Sequence, residues 1–163
     1  MLIRLADAAD TERLGQALAG PLAHACARAP MVVHLEGPLG AGKTTLARGL
    51  LRGLGHGGRV RSPTFTLLEP YELADCNVIH LDLYRLADPA ELDYLGLVDM
   101  LAPGSVVLVE WAERGGERLP KADLRIRLDY DGDSRRAACA ALTGHGRDVL
   151  RAVGAWEQGV PPT

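Results

Sequence analysis

The chain has 163 residues, 47% of them apolar and 24% charged, with 18 basic against 21 acidic side chains and a formal net charge of −3. That length suits one domain with its own core. The near-balance of charge, without long runs of one sign, excludes a strongly basic nucleic-acid binder and a disordered acidic tail. Cys26, Cys76 and Cys139 form no C-x-x-C pair and read as free thiols of a reducing compartment, not as a zinc or disulfide set. The N-terminus turns acidic at Asp7, and no apolar run approaches the roughly 20 residues of a membrane span. A single cytoplasmic domain over residues 1–163, with a frayed tail over 155–163, is expected.

Glycine and proline punctuate short apolar runs in the manner of an alternating α/β chain. Residues 2–5 suit an edge strand. Asp7 or Asp10 can cap a helix on which Leu14, Leu18 and Leu22 share one face. Residues 31–35 form a compact apolar run ending at Gly37, as a buried parallel strand does. The pattern over 43–54 is helical, with Leu46, Ala47, Leu50, Leu51 and Leu54 on one side and Gly55 as terminator. Residues 65–71 read as extended and 78–83 as a short strand, while Pro89 marks a helix start. Ser105 begins the most apolar strand, which runs into Glu110. Residues 124–130 alternate apolar and charged, and Asp131-Gly132-Asp133 turns that strand into an antiparallel partner. A closing helix is expected over 147–153. The sum is a three-layer α/β domain with a mixed, mainly parallel sheet and a C-terminal antiparallel hairpin.

Gly37-Pro38-Leu39-Gly40-Ala41-Gly42-Lys43-Thr44 fits G-x-x-x-x-G-K-[ST] at every required position, between a buried strand and a helix. In such a P-loop the backbone N–H groups from Gly40 onward, with the positive helix end, surround a phosphate. Lys43 is one of only 2 lysines against 16 arginines. It supplies a compact charge that the wide guanidinium fork would not fit into so tight a loop. Thr44 offers a hydroxyl to Mg²⁺. A P-loop also needs a carboxylate at the end of a neighbouring buried strand, and two candidates stand there: Asp82 after Val78-Ile79-His80-Leu81, and Glu110 after Val106-Val107-Leu108-Val109. The more apolar strand favours Glu110 for the metal and leaves Asp82 to orient or deprotonate water, but these roles are interchangeable at the level of sequence. Ser62-Pro63-Thr64-Phe65-Thr66 reads equally as a turn or as a switch segment that senses a γ-phosphate. Asp93-Tyr94-Leu95-Gly96 and Lys121-Ala122-Asp123 imitate GTPase motifs, but the first lies in an expected helix and the second follows Pro120, so guanine specificity is poorly supported. The five histidines show no metal-ligand spacing and read as structural or surface residues.

The blocks Gly40-Ala41-Gly42-Lys43-Thr44-Thr45, Ser62-Pro63-Thr64-Phe65-Thr66-Leu67, His80-Leu81-Asp82-Leu83-Tyr84-Arg85-Leu86 and Val109-Glu110-Trp111 together resemble the TsaE (YjeE) family, over roughly residues 7–142. The resemblance implies a small P-loop ATPase that works with TsaB and TsaD in the threonylcarbamoyl modification of adenosine 37 of tRNA. It implies that Lys43 and Thr44 hold ATP and Mg²⁺, that Glu110 completes the metal site and that Asp82 takes part in hydrolysis. Thr45, Thr64 and Trp111 match positions around the nucleotide. Thr11 matches a segment near the adenine, with the hairpin at Arg135 covering its other side. Pro38 departs from the family's usual aspartate. A P-loop kinase of small molecules and a nucleotide-gated binding module without turnover are the competing readings. Contact with tRNA is expected to be indirect or weak, with Arg48, Arg52, Arg59 and Arg61 as the available basic patch, and Arg85 is the best candidate for an arginine finger.

Overall fold

The computed structural model describes residues 1–63 and 65–157, with side chains to Gly154. Seven strands form one sheet: β1 (Leu2–Leu5), β2 (Met31–Glu36), β3 (Leu68–Glu72), β4 (Asn77–Asp82), β5 (Ser105–Glu110), β6 (Leu124–Asp131) and β7 (Ser134–Ala141), in the order β1-β7-β6-β2-β5-β4-β3. The central strands β6, β2, β5 and β4 run parallel, and β7 and β3 are antiparallel to their neighbours. β5 is buried along its whole length, which is why its sequence is continuously apolar and does not alternate. β6 alternates because only one of its faces is covered: Leu124, Ile126 and Leu128 are buried, Arg125 and Arg127 exposed. The hairpin turns on two residues at Gly132, whose φ is 61°. Pro70 lies in β3, an edge strand, where a missing N–H is tolerated.

One face of the sheet carries three helices, α1 (Ala8–Cys26), α2 (Lys43–Gly53) and α4 (Gly144–Glu157), packed through Leu14, Leu18, Leu22, Leu46, Leu50, Val149 and Val153 onto Val33, Leu35, Val106 and Leu108. The other face is covered more thinly. Val32, Ile79, Leu81, Val107 and Val109 lie under the four-residue helix α3 (Leu97–Met100) and 3₁₀ turns at Pro89–Tyr94, Ala112–Arg114 and Gly116–Arg118. The helix expected at Pro89 is thus a 3₁₀ segment, started by a capping box between Asp88 and Glu91.

Two expectations need correcting. The strand expected from Phe65 begins only at Leu68. Leu67 N donates to Pro63 O at 2.8 Å, Leu67 takes a φ of 60°, and its carbonyl accepts from Asp82 N, so tertiary hydrogen bonds bend residues 65–67 into a turn. The closing helix is longer than its apolar pattern indicated and reaches Glu157, into the expected tail, the rest of which lies outside the described residues.

Asp7 is the cap of α1, with Oδ1 accepting from Asp10 N at 2.9 Å, and its carbonyl also accepts from Thr11 Oγ1 at 3.2 Å. Asp7→Ala is expected to lower the stability by about 1 kcal/mol, read as a shift in the urea midpoint with an unchanged m-value.

Candidate nucleotide site

The loop between β2 and α2 is shaped by three glycines in the left-handed half of φ space: Gly37 at 129°, Gly40 at 77° and Gly42 at 111°. At Gly37 there is no room for anything else, because a Cβ would lie 2.0 Å from Leu128 O of β6. Ala41 N donates to Pro38 O and tightens the loop. α2 then starts from Gly42 without a side-chain cap, so its first-turn N–H groups are offered to the loop's concavity together with the positive end of the helix.

Lys43 is buried at the first position of that helix. Its Nζ donates to Gly37 O at 2.6 Å and Pro38 O at 2.9 Å and sits 4.1 Å from the Trp111 ring centroid. Burial pushes its pKa below the usual lysine value, against the opposing pull of Glu110, Asp82 and Glu113. Trp111 is brought there by a sharp left-handed turn directly after β5, with φ and ψ of 60° and 43°, a costly conformation for a bulky residue. Its ring meets Tyr84 at 5.1 Å, and Arg114 stacks on Tyr84 at 5.4 Å.

Asp82 and Glu110 are register partners at the ends of the parallel neighbours β4 and β5, so the two carboxylates that the sequence set apart by 28 positions stand side by side. The structure distinguishes them. Thr44 Oγ1 donates to Glu110 Oε1 at 3.0 Å and Oε2 at 3.2 Å, which joins the P-loop hydroxyl to this carboxylate. Asp82 instead accepts from Ser62 Oγ and from Tyr84 N at 3.1 Å. A cation bound here would be shared between Thr44, Glu110 and ligand phosphates, since no cluster of three or more His, Cys, Asp or Glu suited to a metal occurs among the described residues. Such sparse protein ligation suits Mg²⁺, which keeps waters and phosphate oxygens in its shell.

Leu39, Lys43, Thr44, Ser62, Asp82, Tyr84, Glu110 and Trp111 line a cleft of about 350 Å³. A second cleft of about 300 Å³ opens between Asp7, Thr11, Asp133 and Arg135. Gly40, Gly42 and Thr45 line both, so the loop is the partition between the two. Thr11 is buried against Gly42, and Arg135 stacks on Tyr130 at 4.3 Å, whose hydroxyl donates to Leu39 O at 2.8 Å. The structure therefore gathers Thr11, Gly40, Ala41, Gly42, Lys43, Thr44, Thr45, Asp82, Glu110, Trp111 and Arg135 around one loop. Thr64 lies outside the described residues. Arg85 stacks on Phe65 at 4.6 Å, and Arg52 pairs with Glu12 on the far end of α2.

Two contributors were not singled out from the sequence. In the sequence Ser62 is only one hydroxyl of a hydroxyl-rich segment, and His80 has no metal-ligand spacing to set it apart from the other histidines. His80 is fully buried, with Nε2 2.9 Å from Glu110 Oε1. The available signal was its position two residues before Asp82, on the same face of β4.

A glycine-rich loop between a central parallel strand and its helix, faced by acidic strand ends, belongs here to a layered α/β fold with a mixed, mainly parallel sheet. Residues 5–138 match the family described as threonylcarbamoyl adenosine biosynthesis protein TsaE. The chain is 48% identical over 122 residues to the tRNA threonylcarbamoyladenosine biosynthesis protein TsaE of Haemophilus influenzae, covering 75% of this chain and 77% of that one. It is 40% identical over 119 residues to the TsaE protein of Bacillus subtilis, covering 73% and 74%. The crystal structure of Bacillus subtilis YdiB superposes with a TM-score of 0.77 at 27% identity, over 96% of this chain and 95% of that one. The chain belongs to the TsaE family. No helix among the described residues is long and apolar enough to cross a membrane.

Proposed function

We propose that the chain is a Mg²⁺-dependent ATPase that serves threonylcarbamoyl-adenosine formation at position 37 of tRNA, working in the cytoplasm as a nucleotide switch with TsaB and TsaD. The observation that carries this reading is the convergence of buried Lys43, Thr44 bonded to Glu110, and the uncapped start of α2 on one loop. ATP fits that geometry with its phosphates in the charged cleft and its adenosine toward Thr11 and Arg135. Lys43 Nζ exchanges its two carbonyl partners for phosphate oxygens, and the N–H groups from Gly40 to Thr45 hold the phosphate chain in place. Thr44 and Glu110 would hold Mg²⁺, which would neutralise charge on the phosphates. Asp82, buried in the cleft wall beside Ser62, orients the attacking water and takes its proton on a carboxylate oxygen. The 62–66 segment, Thr64 included, follows the γ-phosphate.

Arg118 pairs with Asp93 and Arg114 stacks on Tyr84, and neither lines the cleft at Lys43, which favours the ATPase reading over a kinase with an arginine lid. The deciding experiment is steady-state ATP turnover with and without a TsaB–TsaD pair, run beside formation of threonylcarbamoyl-adenosine on tRNA. Slow turnover alone and faster turnover in the complex are expected. Asp82→Asn should lower the rate on the order of 10²–10⁴-fold while ATP still binds. Binding without turnover even in the complex would leave a nucleotide-gated module, and phosphate recovered on a metabolite would make the chain a kinase.

A further inference from the structure

Glu110 is buried to within 2% of full enclosure, and a carboxylate so placed needs donors on its oxygens. The donors are unevenly distributed. Oε1 receives both His80 Nε2 at 2.9 Å and Thr44 Oγ1 at 3.0 Å, while Oε2 receives only Thr44, at 3.2 Å. His80 is itself fully enclosed in β4, one strand away, where the pleat points its ring at the end of β5. Its other ring nitrogen, Nδ1, has no hydrogen-bond partner among the described residues. A carboxylate oxygen accepts, so Nε2 is the donor in this contact.

From this arrangement we propose that His80 is a positioning residue for Glu110: its Nε2–H pins Oε1 and fixes the carboxylate in its orientation against Thr44. The assignment rests on the nucleotide reading above and deepens it, since it says what aims the metal-side carboxylate. A histidine that merely filled space would pack as well with any isostere. One that aims a carboxylate requires a donor at the Nε2 position. Partners of this kind behind a metal ligand are worth about 10–100-fold in metal affinity.

The test is binding of Mn²⁺ as the spectroscopic stand-in, by electron paramagnetic resonance with adenylyl imidodiphosphate present. Nucleotide affinity in EDTA and thermal melting are measured alongside. His80→Leu is expected to weaken Mn²⁺ binding by about 10–100-fold with metal-free nucleotide affinity unchanged, and His80→Gln, whose amide N–H can reach the Nε2 position, to restore most of that loss. Wild-type Mn²⁺ affinity in the Leu variant, or equal losses in Leu and Gln, overturns the assignment alone. Wild-type protein that takes up no Mn²⁺ with the nucleotide overturns the nucleotide reading and this assignment with it. Should neither variant fold, long-range ¹H–¹⁵N spectra of the wild-type protein decide: Nε2 protonated is expected, and the Nδ1–H tautomer refutes it.

Discussion

Lys43→Ala is expected to lower affinity for Mg·ATP on the order of 10²–10³-fold, because removing one side of a desolvated charge pair costs roughly 2–5 kcal/mol. The ammonium is already buried and already turned into the loop by two carbonyls, so little side-chain ordering remains to be done when phosphate arrives. Lys43→Arg should recover only a small part of the loss. The planar fork is wider than a point charge, and the space above the loop is bounded by Trp111 at 4.1 Å. Titration calorimetry with a non-hydrolysable ATP analogue measures both. A near-normal affinity in Lys43→Ala would remove the electrostatic basis of the proposed function. The same burial gives a pH signature: with its pKa held below the usual lysine value, Lys43 loses its proton earlier as pH rises. Phosphate binding favours the protonated form, so affinity should decline in the alkaline range sooner than an exposed lysine would allow.

The second large effect lies away from the loop, where α1 crosses α2. A Cβ at Gly15 would stand 2.2 Å from Leu46 O, and one at Gly49 would stand 2.1 Å from Glu12 O. Both clashes are with backbone, so neither can be relieved by a rotamer change. Gly15→Ala or Gly49→Ala therefore has to push the helices apart. We expect a loss of about 3 kcal/mol, the upper part of the usual overpacking range, and a fall of about 6–12 °C in Tm by differential scanning calorimetry. Gly20 provides the internal control. Its Cβ position on α1 is open except toward the following Pro21, whose ring disfavours helical backbone in a residue with a Cβ, so the propensity gain of Gly20→Ala is offset and stability should stay within about 1 kcal/mol of wild type. Because α2 begins at Lys43, tilting it also moves the first-turn N–H groups to which the proposed function assigns the phosphates. The two clashing variants should thus lose nucleotide affinity as well, and Gly20→Ala should not.

The Gly15–Gly49 contact also shows where reading the sequence stops. The apolar faces of both helices were plain from Leu14, Leu18, Leu46 and Leu50, yet nothing in either segment announces which face of one helix meets the other. The hairpin was legible because its cause is local: alternation in β6, a glycine-bearing turn, and a second strand at once. The opposite case is the 65–67 turn, which is held by Pro63 and by Asp82 of β4 and so escaped a reading by neighbouring residues. Much of the site was legible for a similar reason. Lys43, Thr44 and the three loop glycines fall within the single stretch 37–44, and the chemistry expected of a phosphate cradle dictates their types and spacing.

Residue order alone therefore determined the loop, its strand and helix, the two acidic strand ends and the family likeness. Tertiary structure decided which hydroxyl each of those ends meets, by placing Thr44 against Glu110 and Ser62 against Asp82, and it revealed His80 behind the first pair. The physical reason is range. A loop that turns around a phosphate is built from successive dihedral angles, which neighbouring residues set. Which carboxylate a hydroxyl reaches depends on the register of β4 against β5 and on the angle at which α2 leaves the sheet. Those are settled by the packing of segments remote from one another in the chain.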